Sequence, residues 1–261
     1  MTLLTSRPSS APSTTLTADV FQHLREDILA GGFRPGDKLR LHDLRERYNV
    51  GFSPLREALM HLASDGLVVV EHQKGFRVAP VSLDDLWDVT RTRRLIEDQL
   101  LPEAVRLGDD AWEGEIVAAF HRLEKLPSTD PATGLVTSEW ARRHHAFHYA
   151  IVAAAESRWL KRFWQIAYDQ SDRYRRISAK VVGGREDEHE LLMKAALARD
   201  ADALIEINRR HIQRTAEVVA DQIARTALPE PDPARRVRRK VVPAPGAAPF
   251  FDPDHFRPVR P

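Results

Sequence analysis

From Ser82 to residue 226 the apolar residues recur at three- and four-residue spacing almost without a break. Only a run of helices can turn such a pattern toward one core. Leu83, Leu86, Val89, Leu95, Ile96, Leu100 and Leu101 carry one apolar face through a long first helix, and Ser82 with Asp85 has the spacing of a capping box at its start. Further helices fit residues 110–126, 137–155, 157–180, 186–199 and 201–226, with loops at Pro127 to Pro131 and at Gly183-Gly184. With no convincing strand in this stretch, the expectation for residues 81–227 is an all-α bundle of six or seven helices.

The preceding residues follow a different grammar. Val20, Leu24, Ile28 and Leu29 mark a helix over 17–30 that stops at Gly31-Gly32. Residues 33–37 read as a turn, and Leu41, Leu44 and Tyr48 mark a short helix ending near Asn49. Ser53 reads as an N-cap with Pro54 at the first helical position, and Leu55, Leu59 and Leu62 form a stripe ending at Asp65-Gly66. Leu67 to Val70 and Phe76 to Val78 are strand-like around the turn Gln73-Lys74-Gly75. Helix, short helix, helix and hairpin over 17–80 is the order of a winged helix-turn-helix, and equally that of a small α+β domain with no ligand.

Charge does not decide between these. The chain of 261 residues has a formal net charge of +1, and the bases of residues 18–80 are matched by acids there. A nucleic-acid reading must therefore be local. Arg56, read in the first turn of the third helix, opposes the helix dipole, a cost that a nearby phosphate would offset. Ser53 and free N–H groups of the same turn suit phosphate oxygens or base edges. Lys74-Gly75 sets a cation beside a residue whose missing side chain permits close approach at a wing tip.

The chain has no cysteine, which excludes disulfides and thiolate metal sites and leaves any metal to nitrogen and oxygen ligands. Residues 1–16, rich in Ser, Thr and Pro, and 228–261, punctuated by proline, are expected to be disordered. The basic run Arg235, Arg236, Arg238, Arg239 and Lys240 is either a solvated tail or a contact to DNA phosphate. Neither a signal-peptide apolar region nor a bilayer-length apolar stretch is visible, so a cytoplasmic protein with no membrane partner is expected.

Pro35-Gly36-Asp37-Lys38-Leu39, Val50 through Leu59, Leu62, Asp65-Gly66-Leu67-Val68 and Lys74-Gly75-Phe76-Arg77-Val78 together resemble the GntR-type regulators across the N-terminal unit. The resemblance implies operator DNA as partner, Arg56 as the base- or phosphate-contacting arginine of the recognition helix, and Lys74 and Gly75 in the wing tip. Phe52 stands where a second recognition-helix arginine is usual, and His42 where many members carry arginine.

Within the helical region the chemistry concentrates in Arg142-Arg143-His144-His145-Ala146-Phe147-His148. Positions 144 and 148 lie one turn apart and ~40° around a helix axis, so both imidazoles can reach one point. That spacing suits a metal, but it also occurs as surface or core decoration. Arg93…Glu97, Phe147-His148, His189 with Leu191-Leu192, Asp200 to Ala203, and His211-Ile212 are similar to the FadR C-terminal effector domain over about residues 82–226. This likeness implies a divalent metal on His148, His189 and His211, and His144 in the position usually held by aspartate leaves either a four-imidazole site, suited to Zn²⁺ or Ni²⁺, or a pocket holding no metal. Residues 139–152 with Asp172-Arg173-Tyr174-Arg175 further resemble a subgroup that includes carbon-starvation regulators responding to glutarate.

Arg93 then either grips a carboxylate effector or pairs with Glu97. Tyr174 and Arg175 are further effector candidates, alternatively core or interface residues; Trp140, Trp159 and Trp164 are assigned to packing. The function that follows is a homodimeric repressor released by a small carboxylate. Its alternatives are a regulator that senses the metal itself, or a metal-dependent enzyme. For the enzyme the residues supply little: the histidine pair lacks a metalloprotease's adjacent glutamate, and neither a Gly-rich phosphate loop nor a serine elbow is present.

Overall fold

The computed structural model describes residues 16–177, except 133 and 135, and 186–226. The segments 1–15 and 227–261, the end of the helix expected over 157–180, and the Gly183-Gly184 break lie outside the described residues.

The first unit runs α1 (Leu16–Leu29), β1 (Lys38–Leu39), α2 (Leu41–Tyr48), α3 (Phe52–Ser64), β2 (Val68–Glu71) and β3 (Gly75–Val78). Its three-stranded antiparallel sheet has the order β1-β3-β2, with Leu39 opposite Phe76 and Val68 opposite Val78. The sequence pattern missed β1, because two residues are too few to show a strand period. Leu24, Ile28, Leu44, Leu55, Leu59, Leu62 and Phe76 close an apolar core between the helices and the sheet. Asn49, at a φ of 51°, ends α2 in the left-handed conformation and lets the chain reverse into α3.

The start of α3 departs from the sequence reading. Gly51 is the N-cap and makes no side-chain cap bond, so Ser53 is a first-turn residue and Pro54 is the third. Proline is tolerated there because the first four N–H groups of a helix lack intrahelical partners. Arg56 becomes the fifth residue, beyond the turn in which the helix dipole acts strongly. The energetic argument from the dipole therefore falls away.

The second unit is α4 (Leu83–Leu107), α5 (Asp110–Glu124), α6 (Ser138–Val152), α7 (Arg158–Ile177), α8 (Glu186–Leu197) and α9 (Ala201–Thr226). Caps start these helices where the sequence offers short acceptors: the side chains of Ser82, Asp109, Thr137 and Asp200 accept from the N–H groups of Asp85, Trp112, Trp140 and Ala203. The reciprocal half of the Ser82–Asp85 box is taken by Tyr174, whose hydroxyl donates to the Asp85 carboxylate at 2.7 Å and accepts from the Ser82 N–H at 3.0 Å. An apolar core around Leu100, Ala104, Ile116, Phe147, Ile151 and Leu204 occupies one half of the bundle. Between that core and the smaller cluster of Leu86, Tyr174, Ala216 and Val219 lies a polar layer.

The two units touch along α1 and α7. Arg25 makes a two-pronged ion pair with Asp169, Gln170 donates to the carbonyl of Asp65 at 2.9 Å, and Arg173 donates to that of Pro80 at 2.8 Å.

Candidate functional site

Two regions concentrate functional chemistry, and they are built in opposite ways. The helix-turn-helix carries its candidate contact residues outside: His42, Ser53, Arg56, Lys74 and Gly75 are all exposed. His42 faces Glu46 at 3.5 Å on its own helix. Gly75 opens β3 with a φ of 92° and nothing within 4 Å of where a Cβ would stand, so the glycine is required by its backbone conformation.

The polar layer of the bundle carries its chemistry inside. α6 presents His144 and His148 one turn apart, as their spacing predicts, α8 adds His189 and α9 adds His211. One ligand atom from each lies within 4.8 Å of the other three, and all four residues are buried. The Nε2 atoms of His144 and His148 are 3.1 Å apart. His144 Nδ1 sits 2.6 Å from the Tyr168 hydroxyl and His211 Nδ1 3.0 Å from the Glu188 carboxylate, which leaves the opposite nitrogens of these rings facing inward. Such outer partners fix tautomer and orientation in histidine metal sites. His189 Nε2 is buried without a hydrogen-bond partner.

Burial lowers the pKa of His144, His148 and His189 well below the ordinary histidine value, with Arg175 or Arg93 and the neighbouring imidazoles adding to it. All three rings are therefore neutral near pH 7, the form that coordinates a metal. The hydrogen bond from His211 pushes Glu188 down to about 2, and Arg214 adds to it against burial. The residues fit a divalent cation held by nitrogen. Four converging imidazoles, one of them with an orphaned nitrogen, are a costly interior unless something joins them.

Beside the imidazoles is a cavity of about 30 Å³ reached by Arg93 from α4, Trp140 and His144 from α6, Asp172 and Arg175 from α7, and Thr215 from α9. Arg93 donates to Glu97 at 2.8 Å, so the alternative pairing is present, yet its Nη2 is buried with no partner. Arg175 pairs with Asp172 and lies over the Trp140 ring at 4.7 Å. Burial raises the Asp172 pKa, but Arg175 and Arg176 outweigh it and hold the carboxyl below its usual range. Tyr174 does not reach this cavity; it is the bolt at the start of α4.

Two family models match this architecture: "Bacterial regulatory proteins, gntR family" over residues 16–78 and "FCD domain" over 88–214. The HTH-type transcriptional repressor GlaR of Escherichia coli (strain K12) is 37% identical over 218 residues, covering 81% of this chain and 99% of its own. BphR of Paraburkholderia xenovorans (strain LB400), described as an uncharacterized HTH-type transcriptional regulator, is 38% identical over 211 residues, covering 78% of this chain and 85% of its own. The chain belongs to the GntR family. Its FCD domain places this GntR regulator in the FadR-type branch. The fold agrees with the solved structure of E. coli McbR/YncC, at a TM-score of 0.67 and 21% identity over 80% of this chain and 99% of that one. A GntR regulator from Rhodococcus sp. RHA1 matches at a TM-score of 0.66 and 19% identity, again over 80% of this chain and 99% of its own. This GntR regulator is thus a transcriptional regulator with a DNA-binding domain and a domain of the class that binds small-molecule effectors.

The packing assignment holds for Trp140 and Trp164, which lie in the buried core, and fails for Trp159. Trp140 stacks on His144 at 4.5 Å and faces the cavity, whereas Trp159 is 68% exposed. Trp164 is fully buried and donates to Glu97 at 2.7 Å. Sequence reasoning also passed over Tyr168 and Glu188, which hold the imidazoles from behind. Glu188 had a signal in its adjacency to His189; Tyr168 had none, because its role depends on how α7 crosses α6.

Proposed function

We propose that this GntR regulator is an operator-binding repressor, acting as a homodimer, whose unit 81–227 receives a small carboxylate beside a divalent metal and whose unit 17–80 holds the DNA. The observation that carries the reading is a cluster of four buried imidazoles, three of which, His144, His189 and His211, line one small cavity with Arg93, whose Nη2 has no partner. His144, His148, His189 and His211 would hold Zn²⁺ or Ni²⁺, which are well suited to neutral imidazole. Such an ion would supply positive charge that the four neutral ligands do not cancel. This matters because Arg93 and Arg175 are already neutralised by Glu97 and Asp172, so the protein alone offers an anion little net attraction.

The cavity sets the mechanism's direction. About 30 Å³ holds a water or two, and a dicarboxylate of glutarate size needs several times that. Binding must displace side chains on α4, α6 or α7. On α7, Tyr168, Asp172 and Arg175 face the cavity while Asp169, Gln170 and Arg173 grip the DNA-binding unit. Effector-driven movement of that helix would bear directly on Arg25, Asp65 and Pro80. In this reading Ser53, Arg56, Lys74, Gly75 and His42 are the DNA-facing residues, and Arg93 and Arg175 the effector grips.

The same small volume favours a second reading, in which the ion is itself the signal. Metal-stripped protein titrated with Zn²⁺, then with glutarate and other small dicarboxylates, separates the two by thermal shift and operator release. An ion at about 100 times its Kd should add about 2.7 kcal/mol of stability. Further stabilisation and release by a dicarboxylate only with metal present supports the carboxylate regulator. Release by metal alone supports the sensor, and a wild-type response in His148→Ala, or no response of the wild type to either, would remove the site.

A further inference from the structure

At the junction of α2 and α3 an arginine and a phenylalanine form a pair on the outer surface. Phe52 is the first residue of α3, and its ring remains 45% exposed although the core of the unit lies close by. Arg45, in the last turn of α2, sets its guanidinium carbon 5.1 Å from the centroid of that ring. The left-handed residue Asn49 makes this possible: its N–H and that of Val50 both return to the Arg45 carbonyl, folding the end of α2 back over the start of α3.

Neighbouring cations are otherwise engaged. Arg47 donates to Asp27 at 2.6 Å and covers Phe33, and His42 faces Glu46. Among the described residues no carboxylate pairs with Arg45 or with Arg56. An exposed arginine–aromatic stack adds little to stability, so neither residue has a strong structural reason to be there. What the stack does is restrict the guanidinium. It sits over the ring, at the end of α3 where Gly51 offers no side chain to cap the helix.

We propose that Arg45 and Phe52 form a composite base reader: the ring holds the guanidinium for the O6 and N7 acceptors of a guanine, and the open ring edge meets the methyl group of a neighbouring thymine. Arginine to guanine and an apolar side chain to the thymine methyl are the chemistries that distinguish those bases in the major groove. The inference rests on the reading of α3 as the helix that enters that groove, and it makes α2 contribute to sequence recognition as well as to positioning.

The test begins with selection of a binding site from randomised duplex DNA by the full-length wild-type protein. Affinities of wild type, Arg45→Ala, Phe52→Leu and Arg56→Ala are then measured at matched salt for that site and for each single base-pair variant. Arg45→Ala should bind the selected site about tenfold to a hundredfold more weakly. It should lose discrimination at one G·C pair while unfolding at the wild-type temperature. Phe52→Leu keeps apolar bulk but not the ring face, and should lose the same discrimination. If Arg45→Ala instead weakens all duplexes equally and lowers the salt slope by about one charge, Arg45 contacts phosphate and the base reader is overturned. Unchanged discrimination in Phe52→Leu overturns the stacked arrangement. Loss in Arg56→Ala with none in Arg45→Ala overturns this inference alone, whereas no site selected by the wild type overturns the groove reading with it.

Discussion

The two units of this GntR regulator treat charge in opposite ways. Residues 16–80 form a core of aliphatic and phenyl side chains with their ions on the surface, while the bundle buries Arg93, Glu97, His144, Asp172, Arg175 and His211 among others. A surface that meets DNA can leave its cations in water until the phosphates and bases arrive. An interior that meets a small ligand must keep its polar groups dry and paired in advance, which is costly unless each finds a partner. Substitution should therefore unfold one unit and merely blind the other.

The largest effect is expected at Glu97, which accepts from Arg93, Trp164 and Asn208 at once. Glu97→Ala leaves a buried guanidinium unpaired and should cost about 3–5 kcal/mol in denaturant unfolding. A loss under about 1 kcal/mol would show that the polar layer is solvated and would end the contrast between the units.

Acid should act on the same layer. His144, His148 and His189 take up protons in the folded state only well below the ordinary histidine value of about 6.5. Between that value and the lower folded ones, the unfolded chain binds more protons than the native chain. Stability of the metal-stripped protein should therefore fall as pH drops below about 6.5, by up to about 1.4 kcal/mol per pH unit for each ring. Replacing His189 with glutamine should flatten that slope, and an unaltered slope would mean that water reaches the rings.

On the DNA-binding side, Arg56→Ala should leave stability within about 0.5 kcal/mol of wild type yet weaken operator binding by about 1–3 kcal/mol. Normal affinity at matched salt would remove Arg56 from the interface. A small change in stability, at most about 1 kcal/mol, is expected from Arg25→Ala, which cuts a partly buried ion pair to Asp169. That variant should bind effector and operator but lose much of the coupling between them. Wild-type release from DNA would show that the signal bypasses α7.

Helical period, caps and breaks in the sequence were sufficient to place the six described helices of the bundle and the helix–helix–helix–hairpin order before it, because those signals act within a few residues of each other. The i, i+4 spacing of His144 and His148 showed that they share a helix face for the same reason. Their convergence with His189 and His211 was implied by the family likeness but not legible in spacing, and the placement of Tyr168 and Glu188 behind them was not legible at all, since these depend on how α6 to α9 cross. Arg93 kept two readings in sequence, ion pair or ligand grip, and the structure shows the ion pair with one nitrogen left over. The start of α3 at Phe52 was lost to a stronger local signal, the Ser53-Pro54 pair, and with it the exposed ring under Arg45. Period and capping are properties of neighbours along the chain, so the sequence by itself determined the elements; the histidine cluster, the cavity and the grip of α7 join residues from separate helices, and only tertiary packing could bring them together.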